Sequence, residues 1–286
     1  MAKFSTPNHV GVAETFIILG FIYLCFMMVG AAIVRVPPPG WAPEGYVAPA
    51  QSKRLVTDQH VYVYDALKTP QFWLIWWILC LNVTAGIGVL GQASAMSQEM
   101  FHGRITAVAA SGLVGLFSLF NMGGRFVWSS VSDYIGRKNT YFVFFALGTF
   151  LYALVPSAGA IGSVGLFVFC YAVIFSMYGG GFATVPAYLR DMFGTRYVGA
   201  IHGLLLTAWS MAGIFGPVLV NYIREYNITH GVAKAQAYNV TMYVMAGLLI
   251  VGLVCNLFVK SVHQRFHMRA VEADAEVEAA PVFGSQ

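Results

Sequence analysis

Apolar residues fall in long runs along this chain, separated by short polar and charged segments. About 20 apolar residues are needed to cross the hydrocarbon core of a bilayer. The runs therefore predict seven spans, at residues 12–35, 72–95, 105–131, 140–156, 162–189, 199–222 and 240–260. Pro186, near the end of the fifth, and Pro217, in the sixth, are expected to bend or end those helices. The first run is too long for the core of a cleaved signal peptide, and its basic residue Arg35 follows rather than precedes it, so it stays in the membrane as a span.

Between the first two runs lies VPPPGWAPEGYVAPAQSKRLVTDQHVYVYDALKTP, whose prolines and charges rule out a further span and predict an exposed connector. It ends in Thr69-Pro70, a helix N-cap followed by proline at the first helical position, so the second span starts there. The tail after Lys260 predicts a short helical extension that frays into disorder. Four segments follow: residues 1–35, a connector at 36–71, a six-helix body at 72–260, and a tail at 261–286.

Composition turns the runs into a class. The chain is 58% hydrophobic and only 10% charged, against about 25% charged residues in a soluble domain. It reads as an all-α polytopic membrane protein. Its 22 Phe, 15 Tyr and 30 Gly suit helices that pack through small residues. A net charge of +4 spread along loops indicates neither nucleic acid nor an acidic partner. Cys25, Cys80, Cys170 and Cys255 each sit inside an apolar run, as small hydrophobes, and imply neither metal nor disulfide. No cofactor is implied.

Seven spans put the ends on opposite sides, and the positive-inside rule chooses the arrangement. On one side fall Arg35, Lys53, Arg54, Lys68, Arg137, Lys138, Arg190, Arg196, Lys260, Arg265 and Arg269; the other receives only Lys3, Arg104, Arg224 and Lys234. The connector, the Asp133–Lys138 turn and the C-terminus are thus expected in the cytoplasm, with Met1 outside. An odd span count with an external start suits the second part of a longer protein.

Residues Gly124 to Lys138 read G-R-x-x-W-S-x-x-S-D-x-x-G-R-K. This resembles the loop signature of the major facilitator superfamily, whose transporters have twelve spans in two six-helix halves. More specifically, TPQFWLIWWILCLNVTAGIGVL (69–90) and GGGFATVPAYLRDMFGTRYVGAIHGLLLTAWSMAGIFGPVL (179–219) resemble the oxalate/formate antiporter branch, and residues 19–46 resemble its sixth helix and the start of its central loop. The resemblance covers the family's sixth to twelfth helices, which implies a partner carrying the first five. It makes residues 1–35 the last helix of an N-terminal half, 36–71 a cytoplasmic central loop, and 72–260 the C-terminal half. That half is built from two inverted three-helix units, starting near residues 72 and 162. The expected setting is a bacterial cytoplasmic (inner) membrane.

Arg125 is the sharpest candidate. An arginine deep in a bilayer costs about 2.5–3.5 kcal/mol on insertion scales, so it faces a partner or a water-filled cavity. One reading is an anion site, because the guanidinium fork matches a carboxylate. The other ties Arg125 to Asp133, eight residues on, or to helix-end carbonyls. The resemblance favours the first, since carriers of small carboxylates need a fixed cation in this half. An oxalate dianion is expected to need a second cation on the eleventh helix, yet residues 204–216 contain no Lys or Arg. A monocarboxylate such as formate, lactate or pyruvate therefore stands level with oxalate.

Around Arg125, Asn82, Asn121, Tyr178 and Trp209 can line a pocket or simply pack. His202 is a proton-carrier candidate or an interfacial histidine at the cytoplasmic mouth. Gly179-Gly180-Gly181 lets backbones approach closely. Asp133, Gly136, Arg137 and Lys138 form the turn that, by resemblance, gates one half against the other; Gly136 permits the turn and the two cations anchor it inside.

Three function classes compete. A retinal-type heptahelical receptor needs a lysine midway along its last span, whereas Lys260 lies at the end. An intramembrane enzyme needs a nucleophile with a base or paired carboxylates, and revives only if His202 and Asp191 converge. A carrier needs only a mid-membrane site and halves that rock about it. Transport of a small organic anion is the expected function, and without an interior acid, exchange or uniport is the economical mechanism.

Overall fold

The computed structural model describes residues 11–35, 56–57 and 59–268. The chain divides into two units, Met1–Ala50 and Gln51–Gln286. The first contains helix α1 (Val12–Ile33), which is apolar on every side. At its start the Thr15 hydroxyl donates to the Gly11 carbonyl at 2.7 Å.

The second unit holds a short turn α2 (Val63–Ala66) and then α3 (Pro70–Met100), α4 (Ala107–Ile135), α5 (Arg137–Ile161), α6 (Val164–Phe193), α7 (Val198–Leu205), α8 (Thr207–Thr229) and α9 (Asn239–Phe258). With α7 and α8 counted as one broken span, seven described helices are long and apolar enough to cross a membrane. Side-chain caps fix three starts: Thr69, Thr106 and Ser163 accept from the amides of Phe72, Ala109 and Leu166. As Thr69-Pro70 predicted, α3 begins at Pro70.

Several boundaries differ from the sequence reading. Helix α3 runs five residues beyond 95, because its polar end satisfies itself: Ser97 Oγ and Gln98 Nε2 both donate to the Ser94 carbonyl. The predicted fourth span, 140–156, is a full 25-residue helix that starts directly after Gly136. Neither Pro186 nor Pro217 ends its helix. Each removes one backbone donor, and around Pro186 the fully buried Val185, Tyr188 and Leu189 hold the turns on both sides. The sixth span instead breaks at Leu206. There Thr207 Oγ1 donates to the Leu204 carbonyl at 2.8 Å and accepts from Trp76 Nε1 of α3 at 2.9 Å, so the break is stitched to its neighbour.

The end of the connector is folded rather than exposed. Val61 and Ala66 are fully buried, and the Val61 amide donates to the Phe193 carbonyl at the end of α6. Val61 also forms an antiparallel bridge with His267, and the Met268 amide donates to the His60 carbonyl at 2.8 Å. Among its described residues, 261–268, the tail has a 3₁₀ turn (Gln264–Phe266) where a helical extension was expected, since pairing with the connector satisfies the backbone there instead. The remaining connector and tail, 36–55, 58 and 269–286, lie outside the described residues.

Helices pack in a symmetric scheme. The most intimate pairs are α4 with α6, α3 with α8 and α5 with α9, followed by α3 with α9 and α5 with α6. Exchanging α3 for α6, α4 for the α7–α8 span and α5 for α9 returns the same set of pairs. The two principal crossings are made alike, through glycine. Gly88 of α3 meets the Gly216 carbonyl of α8, where an added Cβ would be 3.0 Å away. On the other side a Cβ on Gly124 would strike the Ser176 backbone, and one on Gly179 the Asn121 backbone.

Candidate functional site

The glycine crossing of α4 and α6 positions the candidate residues. Arg125 follows Gly124 on α4, and Tyr178 lies two residues beyond Ser176 on α6, so the crossing brings these two positions to neighbouring places on the paired helices. Depth agrees. At 1.5 Å per residue, Arg125 is about 6 Å from the midpoint of α4, Asn121 is at that midpoint, and Tyr178 is at the midpoint of α6.

Arg125 is exposed within this unit, and its guanidinium makes no hydrogen bond or ion pair among the described residues. The alternative of an Arg125–Asp133 pair fails, because Asp133 accepts from Arg137. Tyr178 is 8% exposed. Its ring meets Phe182 edge to face at 5.2 Å, and Phe182 meets Trp209 in the same manner at 5.3 Å. Tyr178, Phe182 and Trp209 thus form one aromatic wall from α6 to α8. The sequence reading missed Phe182, although its spacing of four from Tyr178 places it on the same helix face.

Asn82 lies behind this wall. It is 8% exposed, its Nδ2 is buried without a hydrogen-bond partner, and it lines a cavity of about 10 Å³ with Gly86, Tyr152 and Tyr178. Asn121 is part of the crossing itself, with its backbone against Gly179. His202 is not brought to the group: it sits on α7, about 17 Å in depth from the middle of its span. Asp191, its possible enzymatic partner, lies 3.6 Å from Arg137 Nε instead.

The Asp133–Lys138 turn forms a second cluster at one end of the helices. Gly136 adopts φ +87°, which glycine takes readily, and joins α4 to α5 by one residue. Arg137 donates to Asp133 and to Ser132 Oγ and also reaches Asp191 of α6. Lys138 Nζ donates to the Leu257 and Val259 carbonyls at 2.9 and 2.7 Å, and Asn256 Nδ2 returns a bond to the Lys138 carbonyl. The loop is thereby fastened to α6 and to the end of α9.

At the opposite end Arg224 of α8 grips Glu99 of α3 through two nitrogens, one of them Nε at 3.0 Å from Oε2. Gln92 Nε2 adds a 2.7 Å bond to Asn221 Oδ1. The sequence reading found no intramembrane acid in this half; the longer α3 now includes Glu99, but it lies about 21 Å from the middle of that helix and is already paired.

Seven described helices long and apolar enough to cross a bilayer make this an integral membrane protein. Residues 8–217 match the Major Facilitator Superfamily. The chain is 33% identical over 210 residues to the oxalate:formate antiporter of Oxalobacter formigenes, covering 72% of this chain and 46% of that protein. It is 25% identical over 251 residues to apicoplast pyruvate carrier 1 of Toxoplasma gondii, covering 78% and 43%. An uncharacterized MFS-type transporter of Escherichia coli, YhjX, is 22% identical, covering 72% and 48%.

The chain belongs to the Major Facilitator Superfamily, a family of transporters rather than enzymes, and the 33% relative marks the oxalate/formate antiporter branch within it. It spans about half the length of the curated relatives it matches.

Proposed function

We propose that this chain supplies the anion-holding half of a secondary transporter for a small organic anion, working by exchange and alternating access. The observation that carries this reading is the Arg125 guanidinium, without a hydrogen-bond or ion-pair partner among the described residues, at a depth close to that of the Tyr178–Phe182–Trp209 wall. A carboxylate placed there gains a charge-assisted, two-pronged partner in a low-dielectric site. A carrier site lies between two bodies, and the exposed face of α4 that bears Arg125 offers one side of it. The other side comes from a further set of helices supplied with this chain. The assembly sits in a bacterial inner membrane with the connector and the Asp133–Lys138 turn in the cytoplasm.

Within that reading, one fixed cation favours a monocarboxylate. The stretch 204–216 carries no second Lys or Arg, and one charge on the protein best matches one on the substrate. Formate, lactate and pyruvate are therefore the first anions to try, with oxalate beside them. The test is counterflow in proteoliposomes holding both halves. Labelled formate should accumulate only when an unlabelled anion is present inside. Accumulation into anion-free vesicles driven by a proton gradient would overturn exchange in favour of symport.

A further inference from the structure

Tyr178 owes its position to a residue on another helix. One face of its ring lies on Gly86 of α3, where a side chain would have to begin: an added Cβ would collide with Cδ2 and stand only 2.7 Å from Cε2 and 3.0 Å from Cγ. Carbon atoms settle about 3.5–4.0 Å apart, so any residue but glycine would lift the ring by roughly 1 Å. The ring has little room to retreat sideways. Phe182 closes one edge at 5.2 Å, and the neighbouring cavity of about 10 Å³ is far too small for a phenol. The displaced ring has to move off α3.

Gly86 is itself at mid-depth, one residue from the midpoint of α3, level with the candidate anion site. It carries no group that could touch a substrate, so its effect passes through Tyr178. Nor does Gly86 have the commoner reason for a glycine, since its backbone is ordinary helix without positive φ. A helix-interior glycine without that need costs about 1 kcal/mol relative to alanine.

We propose that Gly86 is a specificity-determining, positioning residue of the anion site. Its bare backbone lets Tyr178 lie back against α3 and leaves depth in front of Arg125 for whatever is attached to the carboxylate. Charge then selects anions, and the depth set by Gly86 limits their size. This rests on the anion-site reading above, and the experiment separates the two.

The 286-residue chain, reconstituted in lipid nanodiscs together with the helices that complete the carrier, is titrated with formate, lactate and pyruvate, with tryptophan fluorescence as the readout through the Trp209 wall. The wild type should bind all three. Gly86→Ala should weaken lactate and pyruvate by about tenfold or more, the scale of one misplaced methyl group, while formate changes less than roughly threefold. In the Gly86→Ala/Tyr178→Ala double variant the ratio of lactate to formate affinity should match that of Tyr178→Ala alone, because the methyl at 86 no longer has a ring to push. A role in helix packing alone would leave the ratio at its wild-type value. If Gly86→Ala fails to fold, Tyr178→Ala must still shift the ratio toward the larger anions. Wild-type binding with equal weakening of every anion in Gly86→Ala, or an unchanged ratio in Tyr178→Ala, overturns the role of Gly86 and leaves the anion site standing. No anion binding by the wild type overturns both.

Discussion

Asp133 is paired with Arg137, across the one-residue joint at Gly136, and not with Arg125, two helical turns behind it. This separates two charges that the sequence left in competition. Replacing Arg125 by Lys keeps the charge but loses the fork; replacing it by Gln loses the charge. Both should impair anion exchange without reducing membrane insertion, with Gln the worse. Loss of a charge-assisted bond costs about 1.5–3 kcal/mol, or roughly ten- to a hundredfold in affinity. Because Asp133 has its own partner, Arg125→Gln/Asp133→Asn should be no better than Arg125→Gln alone. Wild-type exchange in that double variant would end the case for Arg125 as the binding cation.

Adjacent glycines on α4 should behave oppositely. A Cβ on Gly124 runs into the Ser176 backbone, whereas one on Gly123 meets nothing within 4 Å. Gly124→Ala is expected to cost about 1–3 kcal/mol by overpacking and to lower the unfolding temperature in detergent. Gly123→Ala should be neutral or slightly stabilising, since alanine is the better helix former. Equal melting temperatures for the two variants would mean that α4 and α6 do not cross at Gly124.

Lys138 closes the far end of α9 by donating to the Leu257 and Val259 carbonyls. A helix leaves its last carbonyls without internal partners, and Lys138→Met takes away the donor while keeping the length of the side chain. Hydrogen exchange should then quicken at the amides of residues 256–259 and stay unchanged in the middle of α9. Uniform protection in the variant would show that the lysine does not hold this end.

The span count and the start of α3 were legible because they depend on local facts: unbroken apolar runs, and Thr69-Pro70 as cap and first residue. Arg125 was legible because a cation among apolar neighbours needs a reason wherever it lies. What escaped the sequence depends on contacts between distant segments. Nothing local in Val61 or His267 announces that they pair, so a folded connector end read as an exposed loop. Glu99 read as loop because the Arg224 that holds it is 125 residues away. Gly86 looked like any small residue in an apolar helix until the ring of Tyr178 was found lying on it. The break at Leu206 was not foreseen: the sequence placed its interruptions at Pro186 and Pro217, and both helices continue through those prolines.

The Glu99–Arg224 pair joins α3 to α8 at the end opposite the Asp133–Lys138 turn. Both side chains are about four-fifths shielded, at 21% and 23% exposure, so their attraction is screened less than at an open surface. A double-mutant cycle with Glu99→Gln and Arg224→Gln should return a coupling of about 1 kcal/mol or more, read from unfolding in detergent. Additive single effects would reduce the pair to a surface contact of no consequence for α3 and α8.

The pairing of connector and tail should depend on pH. His267 bridges to Val61, and the next amide, that of Met268, donates to the His60 carbonyl. Burial lowers the pKa of His267 from its ordinary value of 6.5, and the neighbouring His263 lowers it further. Nε2 of His267 is buried without a hydrogen-bond partner, so a proton arriving there would find no acceptor for its charge. Arg265 adds a further positive charge on the same short segment. The sign follows from linkage: a histidine whose pKa is lower in the paired state binds fewer protons there, so pairing is at full strength above 6.5 and is lost as pH falls through the depressed value. Amide exchange at Met268, corrected for its intrinsic pH dependence, should be slow at pH 7.5 and markedly faster at pH 5. His267→Gln removes the titrating group and should flatten that dependence. Protection at Met268 that is unchanged at pH 5 in the wild type would show that the pairing does not titrate through this histidine.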